Sequence, residues 1–434
     1  MNLCIFKKIN VFLKKLINLI IEYNWCSKGI IIMLKTYKFR IYPTKEQIEK
    51  LNKHFGHTRF VYNFFLNYAS TIYKVMGRST NYNEWSSVLV KLKKMDKYSF
   101  LNEVNSQSLQ QSLKHLEQAF KNFYKKRAGY PQFKKKKFSR QTFCVPQHVQ
   151  IYFKEDNPKY GYIFVPKFKE GIKVRVHRKF PTEFKIKNVT FERTATNKYY
   201  VSIVIEVPDT KIVNTSDGIL GIDLGIKDTI ILSTGEKYSL PDLSKYEKKL
   251  KRLHRQLSRK QKGSKNREKA RLRLAKVYEK ITNIKEDWIH KVTHKIVNEN
   301  QVGKIVVEDL NIKGMMKNPK LSKYIHIQSW GKFITILTYK AKNLGIEVIK
   351  ADRFFPSSQT CSVCGYVNKE VKDLKIRKWV CPICGTEHDR DINAAKNLAK
   401  YGLTIPVGRE PSEFTPVDSA LTAEPVQGLR VITG

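Results

Sequence analysis

Four cysteines of the chain have the types and spacing of zinc ligands. They form two C-x₂-C pairs, Cys361 with Cys364 and Cys381 with Cys384, and a glycine follows each pair at once. Four thiolates at this spacing can surround Zn²⁺ tetrahedrally, so the pattern predicts one bound zinc ion. Because such a site has no open coordination position, we expect it to be structural and not catalytic.

Asp223 is the first acidic residue that could do chemistry. It lies in the segment GIDLG, where strand alternation places it on the face opposite its apolar neighbours and on the same face as Gly221 and Gly225. We expect these glycines to leave space beside the carboxylate. An acid in an apolar strand is costly unless something pairs with it, and a metal ion is the natural partner.

Glu308 and Asp391 are the other two acidic candidates. Glu308 follows the apolar run of GKIVVEDL, at the end of a predicted strand where ligand-binding groups gather in open α/β sheets. Asp391 opens a predicted helix in DRDINAAKNL, whose small alanines allow close approach to a sheet. Asp389 is a weaker candidate because it precedes that helix.

Three such acids, in a strongly basic chain, predict a two-metal phosphodiester hydrolase. Carboxylates suit Mg²⁺ because it is a hard cation that takes oxygen ligands. We expect Asp223, Glu308 and Asp391 to hold two Mg²⁺ ions about 3.5–4 Å apart, which activate a water molecule and stabilise the leaving oxygen.

Composition indicates the class of partner. Among 434 residues, 82 Lys and Arg against 38 Asp and Glu give a formal net charge of +44. A charge that large implies a polyanion, most often nucleic acid, and does not fit an enzyme of neutral metabolites. The cysteines fit a metal site in a reducing cytosol better than a disulfide framework, and no apolar run is long enough to span a membrane. We therefore expect a cytoplasmic protein with no membrane partner.

The elements that would position these residues begin with a strand at Met33. Thr44 starts a helix, with Gln47 placed to complete a capping box, and residues 47–126 are predicted to form an inserted helical domain. Period-two patterning predicts that residues 33–46 and 127–208 form a β-rich domain, in the form of a barrel. Between the two, the basic and aromatic loop KKRAGYPQFKKKKFSR is either a nucleic-acid groove or a solvated loop.

A basic helical hairpin, broken at Gly263 and Ser264, separates the strand of Asp223 from that of Glu308. Its charge is either a phosphate-binding surface or a solvated face. The leader, residues 1–32, is either an amphipathic helix that binds a membrane surface or a partner, or translated upstream sequence. We favour the second, with the natural start at Met33. Residues 402–434 are predicted to be a disordered tail.

The order of these motifs resembles that of one family. GIDLG, the basic hairpin, VVEDL, CSVCG…CPICG and DRDINAAKNL, together with YKFRIYPT, AFKNFYKKRAGYPQFKKK and FFPSSQTCSVCG, resemble the TnpB family of transposon-encoded RNA-guided DNA endonucleases. The resemblance runs from Met33 to Tyr401, and no catalytic position departs from the family pattern.

This resemblance implies a fold, partners and roles. The fold class would be α/β with additional β-barrel and helical domains. An RNase H-like (RuvC) nuclease domain would span residues 217–360 and 385–401, with the zinc ribbon inserted at 361–384. Asp223, Glu308 and Asp391 would be catalytic. The β-rich and helical domains would be wedge-like and recognition-like parts that hold a guide RNA, and double-stranded DNA would be the target.

Two alternatives remain open at this point. One is a transposase that itself moves the element, against which stands the single predicted nuclease site without an evident strand-transfer partner. The other is a non-catalytic zinc-ribbon regulator that binds DNA, in which the three acids are structural.

Overall fold

The structure, a computed structural model, describes residues 32–136, 140–153, 157–181, 183–208, 214–373 and 375–404. Residues 1–31 of the leader, residues 405–434 of the tail and residues 137–139 of the basic loop lie outside the described residues. The chain divides into two compact units, Met1–Thr210 and Lys211–Gly434. None of the described helices has both the length and the apolar character needed to cross a membrane.

The first unit begins with strand β1 (Ile32–Tyr42) and continues into three helices, α1 (Lys45–Met76), α2 (Tyr82–Lys94) and α3 (Ser106–Tyr124). The predicted capping box is confirmed: the Thr44 hydroxyl accepts from the Gln47 backbone N–H, and the Gln47 side chain accepts from the Thr44 backbone. The helices share one apolar core, in which Phe65, Trp85 and Leu113 are fully buried. Their aromatic residues are therefore largely core residues.

A seven-stranded antiparallel sheet forms the rest of this unit, in the order β2-β6-β7-β1-β5-β4-β3. The strands that follow the helices are β2 (Gln141–Val145), β3 (Gln150–Phe153), β4 (Tyr160–Phe164), β5 (Ile172–Arg175), β6 (Lys185–Arg193) and β7 (Tyr199–Pro208). Alternate residues along β7 are buried, as its period-two pattern predicts. β1 pairs with both β5 and β7, so the Met33 strand lies within this sheet.

The sheet is curled into a half-barrel and is not closed, which corrects the predicted barrel. Its edge strands β2 and β3 form no ladder with each other within the described residues. The start of α1 covers the opening instead. Phe55 packs against Phe143 of β2, His54 contacts Phe168, and the Gln47 amide donates to the Gly171 carbonyl.

The second unit is built on a five-stranded sheet in the order β10-β9-β8-β11-β12. The strands are β8 (Ile219–Asp223), β9 (Ile230–Leu232), β10 (Lys237–Tyr238), β11 (Lys304–Val307) and β12 (Glu347–Lys350). β8, β11 and β12 are parallel, whereas β9 and β10 are antiparallel to their neighbours. The central parallel strands are apolar along their length, as expected of strands covered on both faces.

Helices cover both faces of this sheet. Those that precede the cysteines are α4 (Ser244–Ser258), α5 (Lys265–Glu299), α6 (Ile312–Met315), α7 (Pro319–Gln328) and α8 (Trp330–Asn343). Ile296 of α5 and Phe333 of α8 are fully buried against Ile222 and Ile305 of the sheet. The predicted break in the basic hairpin is confirmed, because Ser264 caps the start of α5.

A small cysteine-containing ribbon and a last helix complete the second unit. The ribbon has strands β13 (Lys378–Val380) and β14 (Glu387–Asp389), which pair with each other. α9 (Arg390–Tyr401) follows β14 directly. Leu398 of α9 is buried with Val306 and Ala351, on the sheet face opposite the larger core.

Candidate active site

Strand register brings two of the predicted acids together. In the parallel pair β8 and β11, Ile222 lies opposite Val307. Asp223 and Glu308 are the next residues of the two strands, so they lie side by side at the carboxyl edge of the sheet. Asp223 is 9% exposed, and its carboxyl is hydrogen-bonded to that of Glu308. Two carboxyl groups separated by 85 positions in sequence are thus direct neighbours.

Close packing of α9 on β8 brings the third acid to the same edge. A β-carbon on Gly221 would lie 1.9 Å from the Ala395 carbonyl oxygen and 2.6 Å from the Ala399 nitrogen. Only glycine allows this approach. Gly221 therefore does not leave open space beside Asp223, as the sequence suggested; the backbone of α9 fills it. The small residues of α9 do allow the close contact that was predicted, since Ala395 is fully buried.

The charges of the three acids act on one another. Burial raises the pKa of Asp223 well above its ordinary value, and the nearby charges of Glu308 and Asp391 raise it further. Burial also raises the pKa of Glu308, while the hydrogen bond from Asp223 and the positive charge of Arg390 oppose that rise. Burial and the nearby acidic charges both oppose the ionisation of Asp223 beside Glu308. A divalent cation is the group that would allow all three carboxyl groups to ionise.

Asp391 is the most accessible of the three, with a side chain that is 26% exposed. Its Oδ1 lies 3.3 Å from the Arg377 Nη1 of the ribbon. Asp389 has a different role: its carboxylate caps α9 by accepting from the backbone N–H groups of Asp391 and Ile392, and it pairs with Lys237 at 2.7 Å. The capping role explains why Asp389 precedes the helix.

Sequence reasoning missed the basic residues around the acids. Arg377 contacts Asp391, Arg390 acts on Glu308, and Arg353 holds Asp309 at 2.6 Å. In a chain with 82 basic residues, nothing in the sequence distinguishes these three. The only local signal is that Arg390 directly precedes Asp391.

The four predicted cysteines converge on one point. Their Sγ atoms all lie within 4.8 Å of one another. Among the described residues they are the only group of three or more His, Cys, Asp or Glu side chains placed closely enough to hold a metal ion, a condition that Asp223, Glu308 and Asp391 do not meet in this structure. Cys361 and Cys381 are buried, whereas Cys364 and Cys384 are exposed. Such a cluster could hold a metal ion such as zinc.

Two matching turns aim the sulfurs inward. Gly365 and Gly385 have φ values of 80° and 69°, which favour glycine. In each turn the glycine N–H donates to the carbonyl of the first cysteine, Cys361 or Cys381. His388 adds a contact that the sequence did not predict, because its Nε2 lies 3.1 Å from the Cys361 Sγ.

Comparison with known proteins decides the family. A protein of Streptomyces pristinaespiralis, named "Putative RNA-guided DNA endonuclease", is 37% identical over 370 residues, which cover 85% of this chain and 89% of that protein. The chain belongs to the TnpB family. A second TnpB-family relative, "Putative RNA-guided DNA endonuclease InsQ" of Escherichia coli K12, is 31% identical over 88% of this chain and 98% of its own length.

Three family profiles match parts of this TnpB-family chain. They are described as "Probable transposase" (residues 202–319), "Cas12f1-like, TNB domain" (330–398) and "Helix-turn-helix domain" (33–78). The last description does not fit the local structure, because those residues form strand β1 and the single helix α1.

A solved structure supports the fold of the TnpB-family chain. A Cas12f1–sgRNA–target DNA complex contains a chain that matches with a TM-score of 0.51 at 19% identity, and the match covers 85% of this chain and 99% of that one. At this identity the likeness concerns the fold alone.

Proposed function

We propose that the protein is an RNA-guided DNA endonuclease that cuts by metal-dependent phosphodiester hydrolysis. The observation that carries this proposal is the convergence of Asp223, Glu308 and Asp391 at the carboxyl edge of the five-stranded sheet. The names of the relatives in S. pristinaespiralis and E. coli support the same activity. The net charge of +44 supports RNA and DNA as the partners.

We assign the second unit to the RNase H-like (RuvC) class of nuclease domains, with the ribbon inserted before the last acid. Its mixed sheet, with acids after two adjacent parallel strands and at the start of a covering helix, supports that assignment. In the first unit, the half-barrel would be the wedge-like part and α1–α3 the recognition-like part that holds the guide RNA. These three helices lie between Lys45 and Tyr124.

Three carboxylates fit Mg²⁺, because hard oxygen donors are what that ion prefers. When bound, the metal would activate water and stabilise the leaving oxygen. Asp223, Glu308 and Asp391 would hold it through their carboxylate oxygens, once Asp391 no longer pairs with Arg377. We further propose that the four cysteines hold one structural Zn²⁺, which fixes the ribbon ahead of α9.

The test replaces Asp223 with asparagine in the chain purified with its RNA. Asp223→Asn should lower the rate of cutting of a guide-matched DNA duplex by at least about 100-fold, on the scale of losing a group essential to the transition state, while RNA binding is kept. Asp287→Asn is the matched control, because Asp287 is exposed on α5 and pairs only with Lys291. Equal cutting by Asp223→Asn and wild type in Mg²⁺ would exclude the proposed mechanism.

Sequencing the co-purified RNA separates this function from the two alternatives. A guide-containing RNA that directs the cut supports the endonuclease. Joined DNA strands in the products would favour a transposase. DNA binding without cutting by the wild-type chain would favour a regulator.

A further inference from the structure

A small polar cavity in the first unit is lined by basic groups and hydroxyls. It lies where α1, α3 and β2 meet and has a volume of about 30 Å³, which is room for about two water-sized groups. Arg59, Ser108, His115, Lys134 and Arg140 are among the residues that line it. No carboxylate lines it among the described residues.

Lys134 brings a positive charge to this cavity without an opposing one. Its Nζ lies 3.9 Å from the centroid of the Tyr62 ring, and its backbone is fixed by two hydrogen bonds with the Asn63 amide. Burial lowers the pKa of Lys134 to about 8, and no acid counteracts that effect. A cation–π contact offsets only part of the cost of burying an ammonium group.

Arg59 adds a second cation, for which the described residues supply no acidic partner. Its Nη1 donates to the neutral Gln141 Oε1 at 2.6 Å. Arg140 is different, because its Nε donates to Glu192 at 2.8 Å, and Glu192 also pairs with Lys38. Glu192 is therefore already paired with two cations.

Ser108 supplies a neutral donor that lacks an acceptor. Its residue is 1% exposed, and its hydroxyl has no hydrogen-bond partner among the residues that the structure describes. The hydroxyls of Thr58 and Ser112, which also line the cavity, instead donate to carbonyls of their own helices. A buried donor without an acceptor is costly, so an acceptor is what this cavity lacks.

We propose that the cavity binds a backbone phosphate of nucleic acid. Lys134 and Arg59 would supply charge-assisted hydrogen bonds to its oxygens, and Ser108 would supply a neutral one. A phosphate suits the cavity better than a base, because the lining donates hydrogen bonds and the space admits only small groups. The identity of the ligand rests on the proposed function, whereas the presence of an anion site does not.

Lys134→Gln is the decisive variant, with Lys169→Gln as the control of equal charge on an exposed residue of the same unit. Inorganic phosphate, at constant ionic strength, should raise the melting temperature of wild type and Lys169→Gln but not that of Lys134→Gln. Ser108→Ala should weaken the phosphate effect. Because Lys134→Gln removes an unpaired buried charge, it should fold, which circular dichroism checks; Lys134→Met serves as a second variant.

Fluorescence anisotropy with a short single-stranded RNA and a short DNA duplex identifies the source of the phosphate. The plot of log K against log salt has a negative slope, and in Lys134→Gln this slope should be less steep than in wild type. The magnitude should decrease by about 0.7 if RNA supplies the phosphate, or by about 0.9 if duplex DNA supplies it. Ser108→Ala should leave both slopes unchanged because it removes no charge.

A wild-type chain that phosphate does not stabilise, or a folded Lys134→Gln variant that keeps the phosphate effect, would overturn the site. Loss of the phosphate effect with both slopes unchanged would overturn its assignment to nucleic acid. If the wild type bound neither nucleic acid, the proposed function would fail, and the phosphate measurement would still decide whether the anion site exists.

Discussion

Asp223 and Asp391 have opposite surroundings although both are aspartates of one candidate site. Asp223 is buried against Glu308, and its burial and the nearby acidic charges raise its pKa, whereas Asp391 is partly exposed and pairs with Arg377. A divalent cation would therefore have to let Asp223 and Glu308 ionise together and to displace Arg377 from Asp391. Because the pair with Arg377 is exposed, it is worth at most about 1 kcal/mol, and it is a weak barrier to metal binding.

His54 shows a different use of burial at the residue scale. Its Nε2 accepts from the Asn105 backbone N–H at 3.2 Å, so the proton is on Nδ1, which donates to the Lys50 carbonyl at 2.7 Å. The ring also contacts Phe143 and Phe168. A second proton would have to point at the Asn105 N–H. Burial accordingly lowers the pKa of His54 to about 4.

This pKa predicts acid sensitivity of the first unit. The unfolded chain binds the proton near pH 6.5 and the folded chain only near pH 4, so stability from neutral His54 is full above pH 6.5 and is lost as the pH falls towards 4. His54→Gln should have a lower free energy of unfolding than wild type at pH 7. The difference between the two free energies should narrow by about 2–3 kcal/mol at pH 4.5, given 1.36 kcal/mol per pKa unit.

Urea denaturation of wild type and variant at each pH, monitored by hydrogen exchange in residues 45–124, measures this difference in free energy of unfolding. A difference of constant size between pH 7 and pH 4.5 would show that His54 is not the titrating group.

At the element scale, the sequence predicted individual helices and strands well and their mutual packing less well. The capping box at Thr44 and the break at Ser264 depend on neighbours within four residues, which the sequence displays directly. The role of Gly221 depends on Ala395, and the packing of α1 on the half-barrel depends on Phe55 meeting Phe143. These contacts join distant segments, so alternation alone could not reveal them.

Gly221→Ala tests whether the fit of α9 on β8 positions Asp391. The new methyl group would overlap the Ala395 carbonyl, so α9 must shift, at a cost of at least about 2 kcal/mol by overpacking. Cutting of guide-matched DNA should fall with it. Gly56→Ala is the control, because it lies within α1 with nothing within 4 Å of an added β-carbon and should be neutral or stabilising. Unchanged melting and cutting in Gly221→Ala would contradict the packing.

The ribbon should depend on its metal. A double replacement, Cys361→Ser with Cys381→Ser, removes both buried thiolates and should abolish the zinc that elemental analysis finds in the wild type, because structural zinc binding is coupled to folding. It should also lower cutting, since α9 follows the ribbon directly. Cys144→Ser is the control, as Cys144 is a buried cysteine of the first unit that does not belong to the cluster. The same zinc content in the double variant and the wild type would exclude these ligands.

At the scale of the whole molecule, charge is the dominant property. A net charge of +44 on 434 residues makes the protein repel itself unless a polyanion neutralises it. This net value already counts all 38 acidic residues, so no negative side chain of the chain is left to balance it. We therefore expect bound RNA to contribute to stability as well as to target recognition.

These two contributions of RNA can be separated. Removing the co-purified RNA with ribonuclease in high salt should lower the melting temperature, since any ligand that binds only the folded chain stabilises it by mass action. Adding back the co-purified RNA sequence should restore both melting temperature and cutting. A scrambled RNA of equal length should restore part of the melting temperature through charge alone, but no cutting, because guide pairing selects the target. If the chain without RNA cut the matched duplex as fast as the complex does, RNA guidance would be refuted. If the scrambled RNA restored cutting, the role of RNA would be charge neutralisation alone.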